Sequence, residues 1–310
     1  VRGMWHGAAR RLASRAEARL APRLPRLARG ASSEQTRHDI GVGPGASGLS
    51  VAEWSRRKNA NKGPPVSAGV GRWAPEAELQ VKAERIPGIP DYMPALLLRG
   101  IFTAQECLDL IAAVPTGGPG YLGKDQVYEL YNDRVVRYRF LTHDEALADR
   151  VLQRVRAHIP EELDGGKLVG VNPGFRFVHH DRGGHQAGHI DGREPVEALF
   201  DEALGGWVQS RLSLQIYLSG GFKGGAFAIM EPDAQSEGGY RVRHVHQPSA
   251  GDAVLFYQER LIPPSEKPYE LFHEARDVLE GDKFACRTMV DYVFPDAERA
   301  RLSNLADDVA

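Results

Sequence analysis

The sequence predicts a mostly β domain with flanking helices, an α+β arrangement in which the strands form an antiparallel sandwich or jelly roll. Three observations predict this fold. From residue 168 onward, short runs of alternating apolar and polar residues follow one another closely, which is typical of half-buried strands. Clusters rich in Gly, Ser and Asp separate these runs and indicate turns. Two amphipathic helical patterns precede the strands, and their apolar faces need a sheet to cover.

The charge balance excludes some classes of function. The 310-residue chain carries 39 basic and 41 acidic side chains, which argues against a protein that mainly coats nucleic acid or an anionic membrane. We therefore expect neither as a partner. No apolar run is long enough for a membrane-spanning helix. The two cysteines, Cys107 and Cys286, are too few for a disulfide framework, so an intracellular location is expected.

The regions before and after the domain differ from it in composition. Residues 1–30 contain eight arginines and one acidic residue, which is typical of a mitochondrial or plastid transit peptide; the alternative is a disordered basic tail on a cytoplasmic protein. Residues 31–93 are rich in Gly, Ser and Pro and are interpreted as a flexible linker. The domain is expected to span 94–296, with helical support at 94–165, a β core at 166–296 and a tail at 297–310.

Local signals predict the individual elements. Residues 96–98 suggest a short buried strand. Thr103 and Glu106 form a capping box that begins a first helix, and Thr142 and Glu145 form a second box. The second helix is expected to continue to Ile159, where Pro160 stops it. The predicted strand runs that follow are 168–171, 175–178, 211–218, 226–229, 241–245, 253–257 and 283–294.

A possible metal site lies within the strands. His189 and Asp191 are two residues apart, so on a strand both side chains project from one face and can hold adjacent positions of a metal ion. His179 and Asp181 have the same spacing, and chance alone gives roughly one such pair in a chain of this composition. The surroundings favour His189, which follows a Gly-Gly turn. His273, 84 residues later, is the candidate third ligand.

Two cations follow His273 on one predicted strand. Lys283 and Arg287 share a face with Ala285, and cations inside a barrel are costly unless an anion meets them. Tyr217, on the polar face of the 211–218 strand, can offer a hydroxyl to the same anion. Two histidines and one carboxylate leave half an octahedron open, as in non-haem Fe(II) oxygenases. Zinc is the competing metal.

These ordered motifs resemble the 2-oxoglutarate and Fe(II)-dependent oxygenases, specifically the prolyl 4-hydroxylase-like branch, from about residue 95 to 294. The matching blocks are the helix before the barrel, VNPGFRF, the HID at 189–191, RLSLQIYLSGGFKGGAF, PSAGDAVLF, and the distal histidine with GDKFACRT. The resemblance implies a double-stranded β-helix (jelly roll) core with the N-terminal helices packed on one sheet. It also implies Fe(II) held by His189, Asp191 and His273.

The resemblance further implies the co-substrates. 2-Oxoglutarate would chelate the iron through its 1-carboxylate and 2-oxo group, O2 would be the oxidant, and ascorbate the reductant. Lys283, assisted by Tyr217, would pair with the far carboxylate, and Arg287 is the alternative anchor. His180 stands where the family commonly has a tyrosine that hydrogen-bonds the co-substrate, and Gly225-Ala226-Phe227 lacks the family's usual threonine.

The implied activity is oxidative decarboxylation of 2-oxoglutarate to succinate and CO2, coupled to hydroxylation of an unactivated C–H bond. The substrate is expected to be a prolyl or other residue of a peptide, or a small molecule. Loops set substrate choice, and the segments 192–210 and 259–269 are expected to face it. Two alternatives stay open: a non-catalytic β-barrel binding module, and a metal-dependent hydrolase on a cupin-like barrel.

Overall fold

The computed structural model describes residues 59, 61–89, 95–124, 135–195, 198–236, 239–258, 271–297 and 300. The transit peptide predicted at 1–30 lies outside the described residues, as does nearly all of the tail predicted at 297–310. In the part of the chain that is described, no helix is both long and apolar enough to cross a membrane.

The described residues form two α-helices and eighteen β-strands. The helices are α1 (Ala104–Ala113) and α2 (Glu145–Val155). The strands before α2 are β1 (Lys82–Arg85), β2 (Ala95–Arg99), β3 (Tyr121–Leu122), β4 (Val135–Val136) and β5 (Tyr138–His143). The six strands that follow α2 are β6 (Glu162–Leu163), β7 (Gly166–Val171), β8 (Gly174–His180), β9 (His185–His189), β10 (Leu199–Asp201) and β11 (Gly206–Tyr217). The remaining strands are β12 (Lys223–Gly224), β13 (Phe227–Pro232), β14 (Tyr240–His246), β15 (Ala253–Tyr257), β16 (Phe272–Ala275), β17 (Val278–Glu280) and β18 (Lys283–Phe294).

The strands form two main antiparallel sheets. The larger sheet has the order β1-β2-β15-β11-β18-β8-β5-β3, with β10 paired to β11 and the β6–β7 hairpin paired to β18. The smaller sheet has the order β14-β13-β16-β9-β4, and β12 pairs with β17 separately. The prediction of a mostly β domain built from antiparallel sheets is confirmed. Each predicted strand run overlaps an observed strand, although β11 begins five residues before its predicted run and β13 extends three residues beyond its run.

The hydrophobic core joins the helices to the larger sheet. It is one cluster of buried side chains that draws on β2, α1, α2, β8, β11, β15 and β18. α2 contacts β7 of the larger sheet, whereas α1 contacts a short 3-10 helix at Ser67–Gly69. The prediction that both helices cover the same sheet therefore stays a prediction.

The two helix starts differ in how well the sequence predicts them. At α1 the predicted capping box is present, with Thr103 and Glu106 each bonding the other's backbone N–H. At α2 the predicted box is wrong. Thr142 lies in β5, and Asp144 caps the helix by accepting from Leu147 N–H at 3.0 Å. A carboxylate at the N-cap also interacts favourably with the helix dipole.

α2 also ends earlier than predicted. The α-helix stops at Val155, and a 3-10 turn at Arg156–His158 replaces its last turn.

Residues 61–89 are ordered structure in place of the predicted flexible linker. Val66 and Ile86 are buried in the core. The carboxylate of Asp144 accepts hydrogen bonds from the backbone N–H groups of residues 66 and 67, both at 2.8 Å. The buried ion pair between Arg154 and Glu106 holds the same stretch, because both side chains also bond the backbone of Ala74. The order comes from these tertiary contacts, which the Gly- and Pro-rich composition does not reveal.

Candidate metal centre

Three side chains converge at one end of the smaller sheet. His189 ends β9 and His273 lies in β16, directly opposite it in the antiparallel pairing. Asp191 lies two residues beyond the end of β9, not on the strand as the sequence pattern suggested. The ligating atoms of the three residues all lie within 4.8 Å of one another. The structure thus brings together the three residues predicted as metal ligands.

Backbone hydrogen bonds orient both imidazoles. The Nδ1–H of His189 donates to the carbonyl of Ala187 at 2.9 Å, and that of His273 donates to the carbonyl of Leu271 at 3.0 Å. The Nε2 atoms lie 3.4 and 4.0 Å from the carboxylate oxygens of Asp191. Burial lowers the pKa of His273 to about 3, so this imidazole is neutral and its lone pair is available to a metal.

The two carboxylate oxygens of Asp191 have different surroundings. Oδ2 accepts a hydrogen bond from Ser213 Oγ at 2.8 Å and lies 3.1 Å from Arg287 Nε. Oδ1 faces His189 Nε2. Burial alone would raise the pKa of Asp191, but Arg287 and the two histidines hold it well below its usual range. The carboxylate is therefore ionised, with Oδ2 held by Ser213 and Arg287 and Oδ1 directed toward His189.

Gln186 is an additional residue at this centre that the sequence analysis missed. Its amide Nε2 lies 2.9 Å from Nε2 of His189, and its Oε1 accepts from Arg137. This contact uses the lone pair that His189 would offer to a metal. A metal ion bound at this nitrogen would take the place of the Gln186 amide.

The donor set fits ferrous iron. Two imidazole nitrogens and one carboxylate oxygen are the ligands of the facial triad of non-haem Fe(II) proteins, which leaves further coordination positions open. Asp191 and His273 are buried, whereas the side chain of His189 is 29% exposed. Solvent therefore reaches the centre beside His189. Among the described residues, His189, Asp191 and His273 form the group of His, Cys, Asp or Glu side chains that is close enough to hold a metal ion.

Lys283, at the start of β18, is a buried cation. Its side chain is 2% exposed, and its Nζ donates to the carbonyl of Gly225 at 2.6 Å and lies 5.5 Å from the ring centroid of Tyr217. No carboxylate of the described residues forms an ion pair with it. Burial lowers the pKa of Lys283 to about 7. Binding an anionic ligand here would therefore cost little further free energy for desolvating the ammonium, which is already buried.

Two buried polar side chains lie on the strands next to Lys283. His180 pairs with Lys283 across β8 and β18, and Tyr217 lies on β11. Both ring nitrogens of His180 and the hydroxyl of Tyr217 are buried, and no described residue forms a hydrogen bond with them. Burial, and then the charge of Lys283, lower the pKa of His180, and burial raises that of Tyr217. Unsatisfied buried polar groups cost about 1–3 kcal/mol each, so this cluster is suited to a polar ligand.

Arg287 occupies a different position from Lys283. Although the two residues share the face of β18 predicted from the sequence, Arg287 lies against Asp191 and donates to Ser213 Oγ at 3.4 Å. Its charge is thus compensated by the carboxylate. Of the two predicted anchors, Lys283 is the one that has no anionic partner among the described residues.

The segments predicted to face a substrate are described in part. The second, 259–269, lies outside the described residues. In the first, Arg193 and Glu194 are buried, and Glu194 forms an ion pair with Arg176 at 2.5 Å. The beginning of this segment, directly after Asp191, is therefore packed into the protein.

No protein-family model matches this sequence, and no curated protein is found to match it. Its neighbours among solved structures are prolyl 4-hydroxylases and other 2-oxoglutarate-Fe(II) oxygenases. A viral collagen prolyl hydroxylase from Paramecium bursaria Chlorella virus-1, in complex with 2-oxoglutarate, is 17% identical with a TM-score of 0.41, over 66% of this chain and 97% of that one. A Pseudomonas putida prolyl-4-hydroxylase is 16% identical with a TM-score of 0.38, over 74% and 98%.

HygX from Streptomyces hygroscopicus, with nickel and 2-oxoglutarate bound, is 14% identical with a TM-score of 0.36, over 66% of this chain and 84% of that one. Similarities of this size do not assign a function, and fold alone does not imply one. The fold and the site together define a β-sandwich protein with a two-histidine, one-carboxylate cluster suited to a metal ion.

Proposed function

We propose that this protein is a Fe(II)- and 2-oxoglutarate-dependent dioxygenase that hydroxylates an unactivated C–H bond. The observation that carries the proposal is the convergence of His189, Asp191 and His273, with their ligating atoms within 4.8 Å. Bound Fe(II), with 2-oxoglutarate and O2, would supply the oxidising power for the reaction. The protein's own groups bind the metal, orient the co-substrate and exclude water.

The binding of 2-oxoglutarate is assigned to the cluster around Lys283. The ammonium would pair with the far carboxylate, and the Tyr217 hydroxyl and the His180 ring, which bond no other described residue, would complete its hydrogen bonds. Lys283 is four residues from Arg287, about 13 Å along the strand, and Arg287 touches the metal ligand Asp191. A lysine side chain and a five-carbon diacid together can bridge such a span.

Aromatic side chains limit the access of water at His273. The rings of Phe227 and Phe256 lie 5.2 and 4.7 Å from the ring of His273, measured between centroids. Asp191 and Lys283 are also buried. A site from which water is excluded strengthens its electrostatic interactions and protects reactive species from side reactions.

For the substrate we propose a residue of a peptide, with a prolyl side chain as the first to be tested, and for the reductant ascorbate. The support is the sequence resemblance to the prolyl 4-hydroxylase-like branch. Peptides with and without proline, incubated with the loaded protein, would be compared by mass spectrometry for the gain of one oxygen atom. A gain in peptides that lack proline would contradict the prolyl assignment while leaving the reaction class intact.

The reaction class is tested by succinate release. Protein purified without oxygen receives Fe(II) and 2-oxoglutarate, and then O2. We expect succinate to form only when all three are present, and His189→Ala to abolish its formation. Turnover without 2-oxoglutarate would favour a metal-dependent hydrolase, and ligand binding without turnover would favour a binding module. Unchanged turnover in His189→Ala would show that the metal ligands are assigned wrongly.

A further inference from the structure

A buried chain of hydrogen bonds, here called the Asp191 relay, ends on the carboxylate of the proposed metal centre. The backbone N–H of Glu194 donates to Ser210 Oγ at 2.8 Å, and this hydroxyl donates to Gln258 Oε1 at 2.7 Å. Gln258 Nε2 then donates to Ser213 Oγ at 3.1 Å, and this hydroxyl donates to Asp191 Oδ2 at 2.8 Å. The four hydrogen bonds therefore run in one direction, toward the carboxylate.

A β-bulge makes the relay possible. Ser210 and Ser213 are three residues apart in β11, and in a regular strand their side chains would point to opposite faces. The register between β11 and β18 shifts between Ser210 and Leu212. An extra residue in one strand of a pair re-aims the side chains that follow it. Both hydroxyls consequently reach Gln258, which follows β15 and bonds the carbonyl of Arg211 through its backbone N–H at 2.9 Å.

Packing alone does not account for these three side chains. Ser210, Ser213 and Gln258 are fully buried, and apolar side chains of the same shape would fill the same space without needing hydrogen-bond partners. In the relay the Ser210 and Ser213 hydroxyls and the Gln258 amide each donate and accept. Such chains polarise their members, and a bond to an ionised carboxylate is the strongest kind in the chain. The polar groups therefore act on Asp191.

We propose that Ser213 and Gln258 are positioning residues that hold Asp191 Oδ2 and leave Oδ1 as the single oxygen available to the metal. Ser213 acts directly, and Gln258 acts through Ser213 by fixing the direction of its hydroxyl. Arg287 supports the same arrangement because it contacts both Asp191 and Ser213. The proposal rests on the proposed metal centre and goes beyond it by assigning roles to residues that do not touch the metal.

The test is Co(II) binding to the full-length, metal-free protein, followed by titration calorimetry. Ser213→Ala should weaken Co(II) binding about tenfold, the lower end of the loss seen when a partner of a metal ligand is removed. Gln258→Met should weaken it by a smaller factor. The double variant should bind Co(II) no more weakly than Ser213→Ala alone, because Gln258 acts through Ser213. Ser213→Thr, which keeps the hydroxyl, should bind Co(II) with the affinity of the wild type.

Thr288→Val is the matched control. It removes an equally buried hydroxyl that bonds the carbonyl of Asn172, and it should bind Co(II) like the wild type. Thermal unfolding of each metal-free variant shows whether it is folded, and Gln258→Met keeps the test decisive if Ser213→Ala does not fold.

The outcomes separate the relay from the metal centre. A wild-type protein that fails to bind Co(II) would overturn the metal centre itself. Wild-type affinity in Ser213→Ala would overturn the relay only. Losses that multiply in the double variant would show that Gln258 acts by another route, and would overturn its proposed position in the chain.

Discussion

The chain contains two His-x-Asp triplets with the same spacing, and they have different surroundings. At the first, the His179 ring is stacked on Phe284 at 4.3 Å between centroids, and its Nε2 bonds Asp282. Asp181 forms an ion pair with Lys124 at 2.8 Å. At the second, His189 and Asp191 face each other and His273.

The difference shows that spacing does not create a metal site. In the first triplet, His179 Nε2 bonds Asp282, and both carboxylate oxygens of Asp181 bond Lys124, so these atoms are engaged by other parts of the protein. In the second, backbone carbonyls hold the Nδ1 atoms of the histidines and the Oδ2 of Asp191 is held by Ser213, so one ligating atom of each residue is directed inward. The distal His273 distinguishes the two, because the pairing of β9 with β16 delivers it only to the second triplet.

The largest expected effect on activity comes from removing the carboxylate of Asp191, in the second triplet. Asp191→Ala should lower succinate formation by at least about 100-fold, because loss of a ligand exceeds the 10- to 100-fold effects of losing a ligand's partner. Succinate release with saturating Fe(II) and 2-oxoglutarate measures it. Activity close to the wild-type value in Asp191→Ala would mean that this triplet does not hold the metal.

Loss of the buried ammonium should have the next largest effect. Lys283→Met should raise the KM for 2-oxoglutarate about 10- to 100-fold, since a hydrogen bond to a charged group contributes about 1.5–3 kcal/mol. Lys223→Met is the control, because that lysine is exposed and pairs with Glu280; it should leave the KM unchanged. If Arg287→Gln raised this KM more than Lys283→Met did, Arg287 would be the anchor instead.

A smaller effect is expected from pH. Burial lowers the pKa of Lys283 to about 7, so its ammonium form is lost as the pH rises through this value. The Kd for 2-oxoglutarate should then increase by up to about tenfold per pH unit above 7. Asp191 and His273 have lowered pKa values, so in this range Asp191 stays ionised and His273 stays neutral. Binding followed from pH 6 to 9 should depend on pH in the wild type and not in Lys283→Met; equal slopes would contradict the assignment.

The smallest effect belongs to the first triplet. Asp181→Ala removes an ion pair whose side chains are both about one-third exposed, and such pairs contribute about 0–1 kcal/mol to the free energy of unfolding. Turnover should equal that of the wild type, and urea unfolding should shift only slightly. A loss of turnover comparable with that of Asp191→Ala would remove the distinction between the two triplets.

The sequence predicts the strands better than the features that depend on distant contacts. Period-two alternation is a local property, so β18 is found at its predicted position and β8 and β11 overlap their predicted runs. The order of residues 61–89 depends on Asp144 and the Arg154–Glu106 pair, which lie far along the chain. Local composition alone indicates a linker there.

The same distinction holds within the site. The three candidate ligands were predicted from their types, order and surroundings, and the structure brings them together. The sequence left open whether Lys283 or Arg287 is the anchor, because the answer depends on which cation lies next to Asp191. Nothing in the sequence singles out Ser210, in β11, or Gln258, just after β15, since their alignment depends on the bulge in β11.

The pairing of His189 with His273 across β9 and β16 has a mechanical consequence. An ion bound to both imidazoles would form a reversible cross-link between these two adjacent strands. Amide hydrogens of β9 and β16 should then exchange with deuterium more slowly in the loaded protein than after chelation, while those of β2 and β15 exchange at the same rate in both. The rigidity of the smaller sheet would thus report whether a metal ion is bound.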